Sequence, residues 1–236
     1  MVRWAEDDQV AKQVLADLSA ELDAERSVRD AEPHVSELLY CLTRSFYQRR
    51  RPLPPTPNES LIFLLGMRLE DVLLRPHKQH KSGLTEGILW EADWLDYADL
   101  GEFKTTRLSA KKGGGELPDT WVKQILSYMY VTGKTEAVLA VLHLLGNYSP
   151  PFPMLRAWRM YATAEEVKDN WLVMQYRREV FEQHLKKNVP PKQFEWNEPW
   201  ECDNCRYLLI CQGNQAVEDL SPQLEQSIRL VKSDGD

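Results

Sequence analysis

No stretch of this sequence approaches the roughly eighteen consecutive apolar residues that a membrane-crossing helix needs. The opening segment, MVRWAEDDQVAKQ, is acidic and lacks the apolar centre of a secretory signal. A cytoplasmic protein with reduced thiols and no membrane partner is expected. Positive charge is also short overall: 29 Lys and Arg face 36 Asp and Glu, a net charge of −7. That balance excludes a chain that is basic throughout, but binding to a polyanion responds to the local field. The acidic excess sits mostly in residues 6–32 and from Glu218 to Asp236. Basic residues gather at Arg44, Arg49, Arg50 and Arg51, and again at Lys104, Arg107, Lys111 and Lys112. A nucleic-acid partner is therefore permitted. Cysteine is scarce, with four in 236 residues, and a reducing compartment disfavours pairing them as disulfides.

What is present reads as one α/β or α+β chain with a large core. Residues 7–30 have apolar positions at helical spacing (Val10, Val14, Leu15, Leu18, Leu22) and form an amphipathic helix. Ser36 can cap a helix that carries Leu38, Leu39, Leu42, Phe46 and Tyr47. The proline-rich stretch Arg51 to Asn58 is a loop, and a helix follows from Ser60 to Leu74, ending before Pro76. A strand–turn–strand is expected from Gly87 to Thr106, and a mobile loop with three consecutive glycines from Lys111 to Pro118. Trp121–Thr132 is helical, Ala137–Leu145 a buried strand, Met154–Tyr161 a second strand, and Ala164–Lys187 a long helix capped near Thr163.

The chemistry concentrates in EGILWEADWLDYADLGEFKTTR, residues 86–107. Glu102 and Lys104 are two apart on a strand and share a face. A four-residue turn at Asp96 to Asp99 would set Asp93 directly opposite Glu102. Opposed carboxylates repel unless a cation lies between them, and Mg²⁺ or Mn²⁺ accepts such oxygen ligands together with water and phosphate. Lys104 could then orient the attacking water or neutralise charge on a phosphate. Gly66 and Glu70 lie four apart on a helix, offering a small residue for close approach to the sheet and a third carboxylate. Gln124 and Tyr128 share another helical face, suited to contacting a phosphate or base. A solvated hairpin with ordinary surface charges is the bland alternative. His77 and His80 read as loop or surface residues.

All four cysteines enter one pattern: Cys202-x2-Cys205-x5-Cys211 gathers three thiols locally, and Cys41 must arrive from some 160 residues upstream. Four thiolates suit a [4Fe–4S] cluster or structural zinc. Either would close a loop around most of the chain and restrict its unfolded state.

Taken in order, Gly66-x3-Glu70, Asp93, Glu102-Phe103-Lys104 and Gln124-x3-Tyr128 resemble the motifs of RecB-like PD-(D/E)XK nucleases. More narrowly, HVSELLYCLTRSFYQRR and CDNCRYLLIC resemble the CRISPR-associated, iron–sulfur-containing exonucleases of that branch and their viral relatives. The likeness spans about residues 33–212. It implies a restriction-endonuclease-like core, a mixed sheet flanked by helices, with a cluster-tied helical part formed by the amino- and carboxy-terminal regions. The implied divisions are an amino-terminal helix (1–32), a helix and loop carrying Cys41 (33–60), a nuclease core (61–190), a cysteine-rich segment (191–213) and a polar tail (214–236). The resemblance implies metal-assisted hydrolysis of DNA, commonly of single strands from an end. Glu70, Asp93, Glu102 and the Phe103 carbonyl would be divalent-metal ligands, Lys104 the catalytic lysine, and Gln124 and Tyr128 the DNA-contacting pair. It also implies a [4Fe–4S] cluster on Cys41, Cys202, Cys205 and Cys211. Many members place His where this chain has Glu70. Arg49, Arg50 and Arg51 are candidates for phosphate contacts. DNA-processing or CRISPR adaptation proteins are the expected partners, and the host cytoplasm the location if the source is viral. The alternative is a nuclease-fold subunit that binds DNA or a partner without cutting.

Overall fold

The structure is a computed structural model that describes residues 31–74, 81–93, 100–106, 117–144, 154–192, 198–203 and 205–214, together with Gln9 and Gln13. The amino-terminal helix (apart from those two glutamines), most of the glycine loop, His77, His80 and the tail lie outside them. The helices are α1 (Val35–Leu39), α2 (Leu42–Arg50), α3 (Pro57–Leu74), α4 (Asp119–Thr132) and α5 (Ala164–Lys187). The strands are β1 (Lys81–Thr85), β2 (Ile88–Ala92), β3 (Gly101–Thr106), β4 (Glu136–His143) and β5 (Met154–Tyr161), and a short 3-10 turn covers Pro199–Glu201. Among the described residues no helix is long and apolar enough to cross a membrane. The chain falls into two compact units: one holds residues up to Leu39 and Pro54–Tyr176, the other Tyr40–Leu53 and Arg177 onward.

The first unit is a mixed α/β structure. Its three-stranded sheet has the order β3-β4-β5, with β3 parallel and β5 antiparallel to β4. β4, EAVLAVLH, alternates strictly, with Ala137, Leu139, Val141 and His143 buried on one face. Full burial of a side chain such as Leu139 stabilises by about 1.5–3 kcal/mol. Leu139 pairs with Glu102 on one side and Trp158 on the other, so all three rise from one face of the sheet. Helix α4 ends at Gly133, whose φ of +67° is the left-handed conformation glycine adopts cheaply; its N–H and that of Lys134 close the last carbonyls. Helix α5 opens with a reciprocal cap: Thr163 Oγ1 accepts from Glu166 N–H, and Glu166 Oε2 accepts from Thr163 N–H at 2.8 Å. Val167, Trp171 and Met174 bury the inner face of its first half.

Among the described residues the strands that carry Asp93 and Glu102 do not pair with each other, and the turn expected at Asp96 to Asp99 lies outside those residues. β2 pairs antiparallel with β1, a polar strand the sequence pattern had not announced. The competing closure is shorter. Glu86 and Gly87, at φ +48° and +78°, make a two-residue turn of the kind hairpins favour. Glu86 is held there by its carboxylate, which accepts hydrogen bonds from Trp171 Nε1 (2.8 Å) and Gln175 Nε2 (3.0 Å). β3 pairs with β4 instead. The single helix expected from Ser36 to Tyr47 is two helices, interrupted at Tyr40 and Cys41, and α3 starts at Pro57, inside the expected loop.

In the second unit, α2 buries Leu42, Phe46 and Tyr47. Tyr47 stacks on the buried Tyr207 with ring centroids 5.7 Å apart. Tyr207 Oη accepts from Leu53 N–H at 3.1 Å, and Thr43 Oγ1 donates to the Pro191 carbonyl at 3.2 Å. These bonds join segments about 150 residues apart in sequence.

Candidate active site

Asp93 reaches Glu102 without the hairpin. Its Oδ2 accepts the Phe103 N–H at 2.6 Å, so it caps the open edge of β3 beside the residue it was expected to face. Glu102 is 3% exposed. Its Oε1 accepts from Lys104 Nζ and from Gln124 Nε2 (2.9 Å), while its Oε2 is buried with no hydrogen-bond partner. Gln124 also donates to Tyr128 Oη at 2.9 Å. Glu102, Gln124 and Tyr128 line one pocket of about 280 Å³ with Glu70 and Asp93, and Lys104 adjoins it through its contact with Glu102. The sequence motifs, drawn from α3, the end of β2, β3 and α4, thus meet in one cavity of the first unit.

Burial, above all, pushes the Glu102 carboxyl up to about 8. Lys104 opposes the shift, and Asp93 and Glu70 add to it. Burial, reinforced by the Glu102 charge, also raises the Tyr128 phenol well above its ordinary value. The shift comes chiefly from desolvation of the charged form, which a cation beside Glu102 would offset. A buried carboxylate oxygen without a partner is costly to leave so, and it fits a bound cation or a retained proton. The donor chemistry, four carboxylates (Glu70, Glu91, Asp93 and Glu102) with His34 and no thiol, fits Mg²⁺ or Mn²⁺.

The pocket is also lined by residues that the sequence pattern does not mark as functional, among them His34, Trp90 and Glu91. Glu91 stands two before Asp93, and strand periodicity could have found it. His34 enters through an isolated bridge to Leu89, which no local pattern announces. Gly66, by contrast, is where expected: α3 meets β3 there, with Thr105 Oγ1 3.5 Å from the place a Cβ would occupy.

The second unit gathers the four cysteines, all as free thiols. Burial chiefly raises Cys202 and pushes Cys211 up to about 12, and in both the other thiols add to the shift. Burial raises Cys41 as well. Thiols that raise one another electrostatically are close neighbours, and four of them fit a thiophilic metal or cluster. Among the described residues, no three His, Cys, Asp or Glu side chains are drawn into a closed metal-holding group. Both sets are therefore donor collections, not finished coordination shells. Two of the three arginines predicted to meet phosphate are engaged within this unit: Arg49 lies over the Phe181 ring at 5.7 Å, and Arg50 donates to the Leu185 carbonyl near the end of α5.

The fold and this site define an α/β protein with a carboxylate-lined pocket and a separate thiol cluster. The solved structure of SSO0001 is similar, with 14% sequence identity, a TM-score of 0.56, and coverage of 86% of this chain and 96% of that one. That likeness is one of fold. Weaker similarity extends to an alkaline exonuclease, LHK-Exo from Laribacter hongkongensis (9% identity, TM-score 0.43, 66% of this chain and 91% of that one). A phage-related exonuclease from Haemophilus somnus 129PT is also similar (10% identity, TM-score 0.36, 77% and 85%). No protein-family model matches the sequence, and no curated protein does.

Proposed function

We propose that this chain is a divalent-metal-dependent deoxyribonuclease that hydrolyses phosphodiester bonds of single-stranded DNA or DNA ends. One observation carries the reading: Glu102, bonded to Lys104, is buried with an unpartnered oxygen in a pocket shared with Asp93, Glu70, Gln124 and Tyr128. A buried carboxylate of this kind is poorly explained by stability and well explained by a cation site. Glu70, Asp93 and Glu102 would hold Mg²⁺ or Mn²⁺, with the Phe103 carbonyl a further donor. When bound, that ion supplies an activated water and neutralises charge on the scissile phosphate. Lys104, now paired with Glu102, then turns its ammonium toward the phosphate or the attacking water. Gln124 orients Glu102 through Oε1 and, with Tyr128, offers polar groups to the DNA strand. Cys41, Cys202, Cys205 and Cys211 would hold a four-iron cluster whose role is architectural, with structural zinc as the competing occupant. The cleavage chemistry does not call for an electron carrier.

The deciding assay is digestion of end-labelled single- and double-stranded DNA with Mg²⁺, with Mn²⁺ or with EDTA. Metal-dependent shortening from an end is expected, together with its loss in Lys104→Ala while divalent-metal binding stays measurable by calorimetry. Binding of DNA without cleavage under any metal would instead support the non-cleaving scaffold. Anaerobically purified protein should be brown and hold about four irons per chain. Stoichiometric zinc without iron would rule the cluster out.

A further inference from the structure

We propose that Glu201 is a positioning residue that seats Cys41 beside Cys202, Cys205 and Cys211, so that a protein carboxylate organises the thiol site ahead of its metal. The inference rests on the four-thiol reading above and deepens it. Cys41 is separated from the late triplet by some 160 residues, so bringing it there carries a chain-entropy cost that something must offset. Glu201 is only 6% exposed and reaches both ends of the problem. Its Oε2 accepts the Cys41 N–H at 2.8 Å, and its Oε1 accepts the Glu198 N–H at 3.1 Å, at the start of the 3-10 turn that leads into Cys202. One carboxylate thus ties the backbone carrying the first thiol to the backbone carrying the second.

The neighbouring contacts make the same connection. Cys41 is the cap of α2, its Sγ accepting from Arg44 N–H at 3.5 Å, so fixing its backbone also fixes its thiol. Tyr40, one residue before Cys41, packs edge-on against Trp200, one residue before Glu201, with centroids 6.4 Å apart. Arg177 donates to the Tyr40 carbonyl at 2.7 Å. Arg44 lies 3.7 Å from Glu201, too far for the short charge-assisted bond that would by itself account for burying the carboxylate. The charges of Arg44 and Arg177 face this buried anion, and its pair of backbone hydrogen bonds fixes where it sits.

The test uses the full chain, reduced, stripped of metal and titrated with Co²⁺ alone, read by thiolate-to-cobalt absorption and by competition. Glu201→Ala should weaken Co²⁺ binding about tenfold or more, as loss of a partner that orients a ligand does. Glu201→Gln keeps one acceptor oxygen, enough for the Cys41 N–H, but sets an NH2 against the Glu198 N–H, so it should bind Co²⁺ more weakly than the parent and clearly more tightly than Glu201→Ala. Thr43→Val is the control: it removes the bond to Pro191, another tie between the same chain segments, without touching Cys41. It should lower Tm and leave the cobalt affinity unchanged. Parent-like affinity in Glu201→Ala would overturn the proposal, as would equal losses in Glu201→Ala and Thr43→Val, or failure of Gln to rescue. Should the Ala variant not fold, Glu201→Asp, one methylene too short to hold both N–H groups, takes its place under the same criterion. Absence of thiolate bands in the parent would instead remove the four-thiol reading itself.

Discussion

The carboxylate pocket and the thiol cluster solve the same problem, gathering like-charged donors from distant segments, by different means. In the pocket, regular structure does the gathering. β3 sets Glu102 and Lys104 on one face, α4 brings Gln124 and Tyr128 one turn apart, and Asp93 is pinned to the edge of β3 through the Phe103 N–H. Desolvation, with some repulsion from Asp93, pushes the Glu102 carboxyl up to about 8, and the neighbouring Lys104 opposes both. Around the cysteines regular structure is short, and individual hydrogen bonds to Cys41, Thr43 and Leu53 hold the segments together. The lesson is that the first site is expected to fail chemically when damaged, and the second mechanically.

The sharpest way to break that contrast is to damage each in turn. Asp93→Ala or Glu102→Ala should cut the rate of end-labelled DNA digestion by about 100-fold or more while circular dichroism and Tm stay near the parent's. Cys41→Ser should do the reverse. With the cluster's tie undone, Tm should fall by about 5 °C or more, since each 1 kcal/mol is worth several degrees in a domain of this size. Residual activity of the folded fraction should survive. If Cys41→Ser abolishes cleavage in protein that remains fully folded, the two sites are not separable in this way.

Much of the pocket was legible in the sequence, because its donors sit at fixed offsets on regular elements. Glu102 with Lys104 is a strand spacing, and Gln124 with Tyr128 a helical one. α5 and β5 match their expected bounds for the same reason: strong periodicity and, for α5, the Thr163–Glu166 cap. Strand pairing was not legible. The expectation that β2 would turn back onto β3 ignored KSGLT, whose polar, exposed residues gave no sign of a strand, and missed Glu86-Gly87 as the turn. Glu201 was equally silent, because a single glutamate before a cysteine looks like surface charge until its two backbone partners are seen.

A second comparison concerns pH, with divalent metal removed by chelator. The folded Glu102 carboxyl keeps its proton up to about 8, whereas an unfolded one loses it near 4.5. Between those values the native state binds more protons than the unfolded state, so stability falls as pH rises. The contribution is fully present below about 4.5 and lost as pH passes about 8. Denaturant midpoints in EDTA should drop by the equivalent of a few kcal/mol across that window. Glu102→Gln, neutral throughout, should flatten the decline. Equal slopes in parent and variant would show that Glu102 is not the buried group responsible.

The three arginines separate structural from electrostatic roles. Arg49→Ala removes a cation–π contact with Phe181, and Arg50→Ala a hydrogen bond to the Leu185 carbonyl; each should cost about 0.5–1 kcal/mol of stability. The triple Ala variant should also bind single-stranded DNA more weakly, with a shallower dependence on salt, because each lost phosphate contact reduces counterion release. An unchanged salt slope accompanied by the expected loss of stability would leave Arg49 and Arg50 with purely structural work.

The smallest effect is expected at Gly66, and it sharpens what the small residue in α3 is for. The sequence reading gave it the task of letting the helix approach the sheet. The distance from its absent Cβ position to Thr105 Oγ1 is 3.5 Å, an ordinary van der Waals contact, so one methyl fits without displacing the strand. A glycine inside a helix is also less favourable than alanine by up to about 1 kcal/mol. Gly66→Ala should therefore leave DNA digestion within about twofold of the parent and raise stability by about 0.5–1 kcal/mol, read as a small shift of the denaturant midpoint. Gly66→Val adds a second layer of carbon atoms that must press on Thr105, and a β-branched side chain suits a helix less well. It should lose both stability and rate, since Thr105 adjoins Lys104 on the strand that carries Glu102. A Gly66→Ala protein that is folded but inactive would show that the backbone approach itself, and not merely the room it leaves, is needed for the chemistry.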